Sequence, residues 1–203
     1  MNINSFILYL RTNMRIKDPN KKEAIFRAAL SLVLEVGFSG LKISKVARAA
    51  KVATGTVYVY FNNKEELINQ LYLELKKRSA QDYVKGLAEG QSFEDRFDIV
   101  WYNYLQRALE QPEEAAFLEQ YYRSPYLDEG TLEATEELLL PIFSLLEEGQ
   151  DQGKVKNLPV ELLVAHLSGS LNELARWQHS GKISLGNTLK ADARQLAWDS
   201  IKK

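Results

Sequence analysis

Residues 43–61 read Ile-Ser-Lys-Val-Ala-Arg-Ala-Ala-Lys-Val-Ala-Thr-Gly-Thr-Val-Tyr-Val-Tyr-Phe, and they constrain the fold more than any other part of the chain. Two short helices that cross closely need a small side chain at the crossing, which Ala47 supplies. Val46, Ala50, Val52 and Val57 then form a small shared core, spaced as a helix-turn-helix requires. Taken alone, Val57-Tyr58-Val59-Tyr60-Phe61 has the composition of a strand. Its neighbours decide otherwise. Asn62 and Asn63 stop the run, and Asn63 with Glu66 three residues later forms a capping box for another helix.

The rest of the chain reads as helix. Pro occurs only at 19, 112, 125, 141 and 159, and no stretch alternates long enough to argue a sheet. A first helix is expected over 20–36, where Ile25, Ala28, Ala29, Leu32 and Val36 share a face and Gly37 caps the end. A second is expected over 44–50, a third from about Thr54, and a fourth carrying Leu67, Leu71 and Leu75. Further helices are expected over 92–110, 112–123, 131–148, 159–179 and 187–201. Pro112 and Pro159 suit first-turn positions, and Pro141 should kink its helix by displacing a backbone hydrogen bond. Residues 1–13 read as an extension unlike the helical remainder, or as the product of an early start site.

Charge divides the chain. Residues 14–64 hold ten basic residues against three acidic ones, yet the whole chain has a net charge of −1, so the remainder is strongly acidic. A basic module of about fifty residues on an acidic body implies that one end is attracted to a polyanion. Solvated faces of varying sign would give the same arithmetic. The second helix of the motif turns Thr54, Thr56, Tyr58 and Val59 outward, and the major groove of B-DNA, ~12 Å wide, admits such a helix.

From Thr54-Gly55-Thr56-Val57-Tyr58-Val59-Tyr60-Phe61 through Asn62-Asn63-Lys64-Glu65-Glu66-Leu67, the chain resembles the recognition helix and following turn of the TetR (TetR/AcrR) family of bacterial transcription regulators. The helix ending in Gly37-Phe38 and the alanine-rich helix after it add to the likeness, which covers about residues 20–70. The resemblance implies an all-α fold, with a three-helix helix-turn-helix domain over 20–66, after an extension over 1–19, and a helical ligand-binding and dimerisation domain over 67–203. Three positions depart from the family pattern. Lys42 replaces the usual threonine cap, Lys51 stands where the inter-helix turn usually has glycine and must adopt a left-handed conformation, and Ala53 replaces the capping serine, leaving Thr54 to cap instead.

Carried over by position, Thr54, Gly55, Thr56 and Tyr58 face base edges or nearby sugar-phosphate. Tyr60 and Lys64 grip phosphates, Lys64 at a helix N-terminus. Lys42, Ser44, Lys45 and Arg48 hold the DNA backbone, which fixes register without reading sequence. For Tyr60 core packing is an equal alternative.

Beyond residue 80 the resemblance is architectural. Phe97, Trp101, Tyr104, Phe117, Tyr121, Tyr122, Leu138 and Ile142 fall on stripes that either line an apolar, aromatic effector pocket or are plain core. Leu163, His166, Leu167, Ser170, Leu171, Leu174, Leu189 and Leu196, on the last two helices, are expected at a four-helix dimer interface. Twofold pairing suits a palindromic operator with half-sites about 34–36 Å apart. His166 reads as a packed or hydrogen-bonded residue.

The reading is therefore a DNA-binding transcription regulator, a repressor released from double-stranded DNA by a small apolar or aromatic effector. Composition excludes much else. There is no Cys and there are two His, His166 and His179, so no metal or cofactor is expected. The apolar run Phe6-Ile7-Leu8-Tyr9-Leu10 is far too short for a signal core or a membrane span, which points to a cytoplasmic chain. The alternatives are a helical small-molecule-binding protein or enzyme, which lacks any paired acid/base constellation here, and an adaptor using its helix-turn-helix for protein contact.

Overall fold

The structure, a computed structural model, describes residues 18–203. The expectations for residues 1–13 lie outside the described residues. Among those described are nine helices and one isolated antiparallel bridge, Val155 with Lys202, so the chain is all-α. It divides into two compact units between Leu71 and Tyr72.

The first unit begins with α1 (Pro19–Gly40), whose N-terminus Asp18 caps by accepting from the Asn20 N–H at 2.9 Å. Ile25, Ala28 and Ala29 are buried as their spacing predicts, but Phe26, Leu30 and Val33 complete the face in place of Leu32 and Val36. Gly37 ends the long helical segment of α1, as its position suggests, and a short segment follows it. Its φ of +70° and ψ of 171° suit glycine, after which the helix resumes to Gly40. α2 (Ile43–Ala49) and α3 (Thr54–Tyr60) follow. Between them Lys51 holds φ +56°, the only positive φ at a non-glycine residue among those described. α2 has no side-chain cap, as the loss of threonine at Lys42 implies. α3 has none either: Ala53 is its N-cap and Thr54 already lies inside the helix, so Thr54 does not take over that role.

α4 (Lys64–Tyr83) is one continuous helix that runs from the first unit into the second. Asn63 accepts from the Glu66 N–H at 2.7 Å, while Glu66 accepts from the N–H of Asn62 at 2.7 Å. The capping box thus forms with its return bond shifted one residue toward the N-terminus.

The second unit adds α5 (Phe93–Glu110), α6 (Pro112–Tyr122), α7 (Glu129–Asp151), α8 (Val160–His179) and α9 (Asn187–Ile201). Ser92 caps α5 through the Asp95 N–H, Pro112 opens α6, and Pro159 is the N-cap of α8. α7 continues through Pro141, which sits exposed within it. Phe93, Phe97, Trp101 and Leu105 of α5 are buried with Leu145 and Leu146 of α7, Leu163 and Leu171 of α8, and Ala197 and Ile201 of α9. Hydrogen bonds Lys156 N–H to Ile201 O and Lys203 N–H to Lys154 O fasten the end of α9 to the loop after α7. No described helix is long and apolar enough to cross a membrane.

Candidate nucleic-acid interface and effector cavity

The helix-turn-helix is assembled by a few side chains that point inward. Val46 and Ala47 of α2 and Val57 and Tyr60 of α3 are buried, and the Phe61 ring lies 5.5 Å from that of Phe26 on α1. Burying those positions fixes what is left outside. On α2, Ser44, Lys45 and Arg48 are exposed, with Lys42 just before them. On α3, Thr54, Gly55 and Tyr58 are exposed and Thr56 is half-buried. Both helices therefore present the i, i+1, i+4 set that their packing leaves free. Tyr58 is 52% exposed, large for a side chain of its area.

Lys64 is half-buried at the start of α4, and its Nζ donates to the Phe38 carbonyl at 3.3 Å. Tyr60 corrects the expectation of a phosphate grip. Its side chain is buried, and its hydroxyl is engaged with both backbone polar groups of Asp18. The packing alternative holds for it.

In the second unit a cavity of ≈ 540 Å³ opens among α4, α5, α6 and α8. α4 supplies Tyr72, Lys76, Ser79 and Tyr83, spaced i, i+4, i+7, i+11 along one face. Opposite stand Tyr104 and Arg107 of α5, Glu114, Glu119 and Tyr122 of α6, and Ser168, Asn172, Arg176 and His179 of α8. Arg107 is the hub of the wall: its Nε donates to Ser79 Oγ at 2.8 Å, and its guanidinium pairs with Asp82 and Glu114. The rings of Tyr83 and Tyr104 stack with centroids 4.4 Å apart. Burial pushes the phenols of Tyr72, Tyr83 and Tyr104 above their ordinary range, so they stay neutral hydrogen-bonding groups. Tyr104 donates to Asn172 Oδ1 at 3.2 Å. A second, apolar slot of ≈ 60 Å³ is lined by Phe97, Trp101, Ile142 and Leu171, and shares Tyr104 and Ser168 with the cavity.

Two family models match the chain: bacterial regulatory proteins, tetR family, over residues 25–71, and a tetracyclin repressor-like C-terminal domain over residues 92–202. The chain belongs to the tetR family. It is 31% identical over 112 residues to an uncharacterized HTH-type transcriptional regulator of Haemophilus influenzae, covering 55% of this chain and 60% of that one. It is 41% identical over 61 residues to the fatty acid metabolism regulator protein of Bacillus subtilis, covering 30% of this chain and 31% of that one. The matches thus span less than two thirds of those relatives. A TetR family transcription regulator of Marinobacter aquaeolei VT8 has the same fold, with a TM-score of 0.87 over 94% of this chain and 100% of that one at 22% identity.

Measured against the expectations for a tetR-family regulatory half, the effector residues separate. Tyr104 and Tyr122 line the cavity, whereas Phe97, Trp101, Tyr104 and Ile142 line the slot. Phe117 and Tyr121 line neither. Both are fully buried; Tyr121 stacks on Tyr72 at 3.9 Å, donates to the Tyr126 carbonyl, and has its phenol pushed up to about 12 by burial. Leu138 lines neither as well. The slot has the expected apolar lining, whereas charged and hydroxyl-bearing side chains make up much of the cavity wall. Lys76 and Ser79 escape a reading of the sequence because the apolar stripe of α4 masks its polar one, and Arg107 because it follows the aromatic stripe of α5.

The two last helices divide in the same manner. Leu163 and Leu171 are 3% exposed and belong to the chain's own core, which corrects their place at an interface. Leu167 and Leu174 pack against that core half-buried. His166 and Ser170 are exposed, as are Leu189 and Leu196, the last at 71%. His166 Nε2 lies 3.0 Å from Ser200 Oγ, the hydrogen-bonded role expected of it.

Proposed function

We propose that the chain is a sequence-specific DNA-binding repressor that acts as a homodimer on a palindromic operator and is released by a small molecule held in the cavity of its second unit. Residues 20–66 form the DNA-binding part in this reading, and 67–203 the regulatory and pairing part. Membership of the tetR family supports it. So does the single observation that carries it: the exposed face of α3, with Thr54, Gly55 and Tyr58 outward, while Val57 and Tyr60 hold the helix from behind. Exposed Lys42, Lys45 and Arg48 on and before α2 add the positive charge that phosphate contacts need.

Pairing is supported by an exposed stripe on α8, Leu162, Ala165, His166, Gly169 and Ser170, spaced i, i+3, i+4, i+7, i+8. Leu189 and Leu196 of α9 add apolar area. Small residues at Ala165, Gly169 and Ser170 allow two helices to approach closely.

Release follows from linkage. An effector that binds the DNA-incompetent form better must lower operator affinity by the same factor. α4 is the lever in this mechanism, because one helix carries Lys64 at its start and the cavity residues Tyr72, Lys76, Ser79 and Tyr83 further along.

Selecting bound fragments from sheared genomic DNA tests the reading. A single palindromic site class is expected, with Tyr58→Ala and Lys64→Ala each weakening binding about tenfold. Lys64→Ala should also reduce the slope of log K against log salt by about 0.9. Recovery of no sequence class, or full affinity in both variants, overturns it.

A further inference from the structure

Among the described residues, one basic side chain on the cavity wall, Lys76, has no acidic partner. Each arginine on its wall has a carboxylate. Arg107 has Asp82 and Glu114, Arg123 has Glu119 at 3.3 Å, and Arg176 has Glu173 at 2.6 Å. His179 Nε2 lies 3.3 Å from the Ala108 carbonyl. Lys76 has no carboxylate partner among the described residues; its ammonium lies 5.7 Å from the centre of the Tyr72 ring. Burial lowers its pKa, so its surroundings disfavour the charged form. A cation removed from water without a counter-ion is a standing cost to the fold, and an anion arriving in the cavity relieves it.

Beside this charge the wall changes character. Tyr104 and Ser168 are common to the cavity and to the apolar slot of Phe97, Trp101 and Leu171. The apolar slot thus adjoins the polar cavity along these two residues. A volume of ≈ 540 Å³ lies within the range that holds drug-sized organic molecules.

We propose that the cavity selects an amphipathic organic monoanion, with its negative group on Lys76 and its apolar body directed toward Tyr104 and the slot. This rests on the reading of the cavity as the effector site, and it narrows the apolar or aromatic effector of the sequence reading to one that carries charge.

The test compares two probes with one ring system, 8-anilinonaphthalene-1-sulfonate and N-phenyl-1-naphthylamine, which lacks the sulfonate. Both are titrated into the full-length protein by fluorescence. The ratio of their affinities should shift about tenfold against the sulfonate in Lys76→Gln, and Lys76→Arg should keep the wild-type ratio. Ser168→Trp, which sets a bulky ring where cavity and slot adjoin, should weaken both probes together. An unchanged ratio in Lys76→Gln, or undiminished binding of both probes to Ser168→Trp, overturns the proposal. Removing a penalised charge relieves the fold, so Lys76→Gln remains assayable, and the Ser168→Trp outcome stands independently of it. Failure of the repressor reading shows separately, as failure to select DNA while the probe ratio still responds to Lys76.

Discussion

The hydroxyl of Tyr60 donates to the Asp18 carbonyl at 3.0 Å and accepts from the Asp18 N–H at 2.8 Å, across 42 positions of sequence. The last residue of the recognition helix is thereby tied to the residue that caps the first helix. The tie sets the tilt of α3 from behind, while Tyr58, two residues earlier, is left to solvent.

Tyr60→Phe keeps the ring and removes the tie. It should cost about 1 kcal/mol of stability, the net worth of a hydrogen bond, with the Asp18 polar groups half-buried and able to find water in part. Because the Tyr60 side chain is buried and its hydroxyl is engaged with Asp18, the salt dependence of operator binding should be unchanged. Urea unfolding and a salt titration of binding check both halves. A reduced salt slope would restore the phosphate role that its burial argues against.

Where the sequence was legible, a local chemical reason made it so. α9 spans the expected 187–201, and Pro112 opens its helix because proline suits a first turn. Asn63 and Glu66 announced the start of α4 by a hydrogen-bonding pattern that three residues can specify. The misses share a different cause. Leu162 and Leu163 are equally apolar, and only the partners of α8 decide which faces the core. Phe117 and Tyr121 look like pocket aromatics until packing buries them, while Tyr72, Lys76, Ser79 and Tyr83 look like solvated polar positions until α5, α6 and α8 enclose them.

Lys51 occupies the turn between α2 and α3 with φ +56°. The left-handed region costs a residue with a Cβ roughly 1 kcal/mol, which glycine avoids, though glycine gives back part of this in the unfolded chain. Lys51→Gly should therefore raise stability by about 0.5 kcal/mol or more. It removes one exposed positive charge as well, so the gain should come with equal or weaker operator binding. Paired unfolding and mobility-shift measurements separate the two effects; a loss of stability would show that the lysine side chain contributes more than the strain removes.

The lowered pKa of Lys76 gives stability a definite pH dependence. Between the folded and the unfolded pKa the unfolded chain binds more protons, so this residue's contribution rises as pH rises through that window toward 10.5, and its cost is fully present below the folded value. The buried phenols of Tyr72, Tyr83 and Tyr104 act in the opposite sense, losing stability as pH rises above 10.0, because their folded pKa is raised. Glu114, Glu119, Arg107, Arg123, Arg176 and His179 share the wall and are common to any variant at Lys76. The difference between wild type and Lys76→Met cancels them. Lys76→Met should be the more stable protein at neutral pH, and its advantage should shrink as pH rises. A constant difference between pH 7 and 10.5 would mean that Lys76 is solvated.

Leu162 and Leu163 are neighbours with opposite fates, 54% and 3% exposed on α8. Leu163→Ala opens a space in the core of the second unit and should cost about 2–5 kcal/mol of unfolding free energy. Leu162→Glu touches no core residue and should leave the folded subunit within about 0.5 kcal/mol. Set in the middle of an apolar pairing surface, however, its carboxylate meets its own copy across the twofold axis, and both charges lose water. Sedimentation should then find a folded monomer, with operator affinity reduced because two half-sites are no longer engaged together. A Leu162→Glu protein that stays dimeric would move the pairing surface off this face of α8, and Leu189 and Leu196 of α9 would be the next positions to charge.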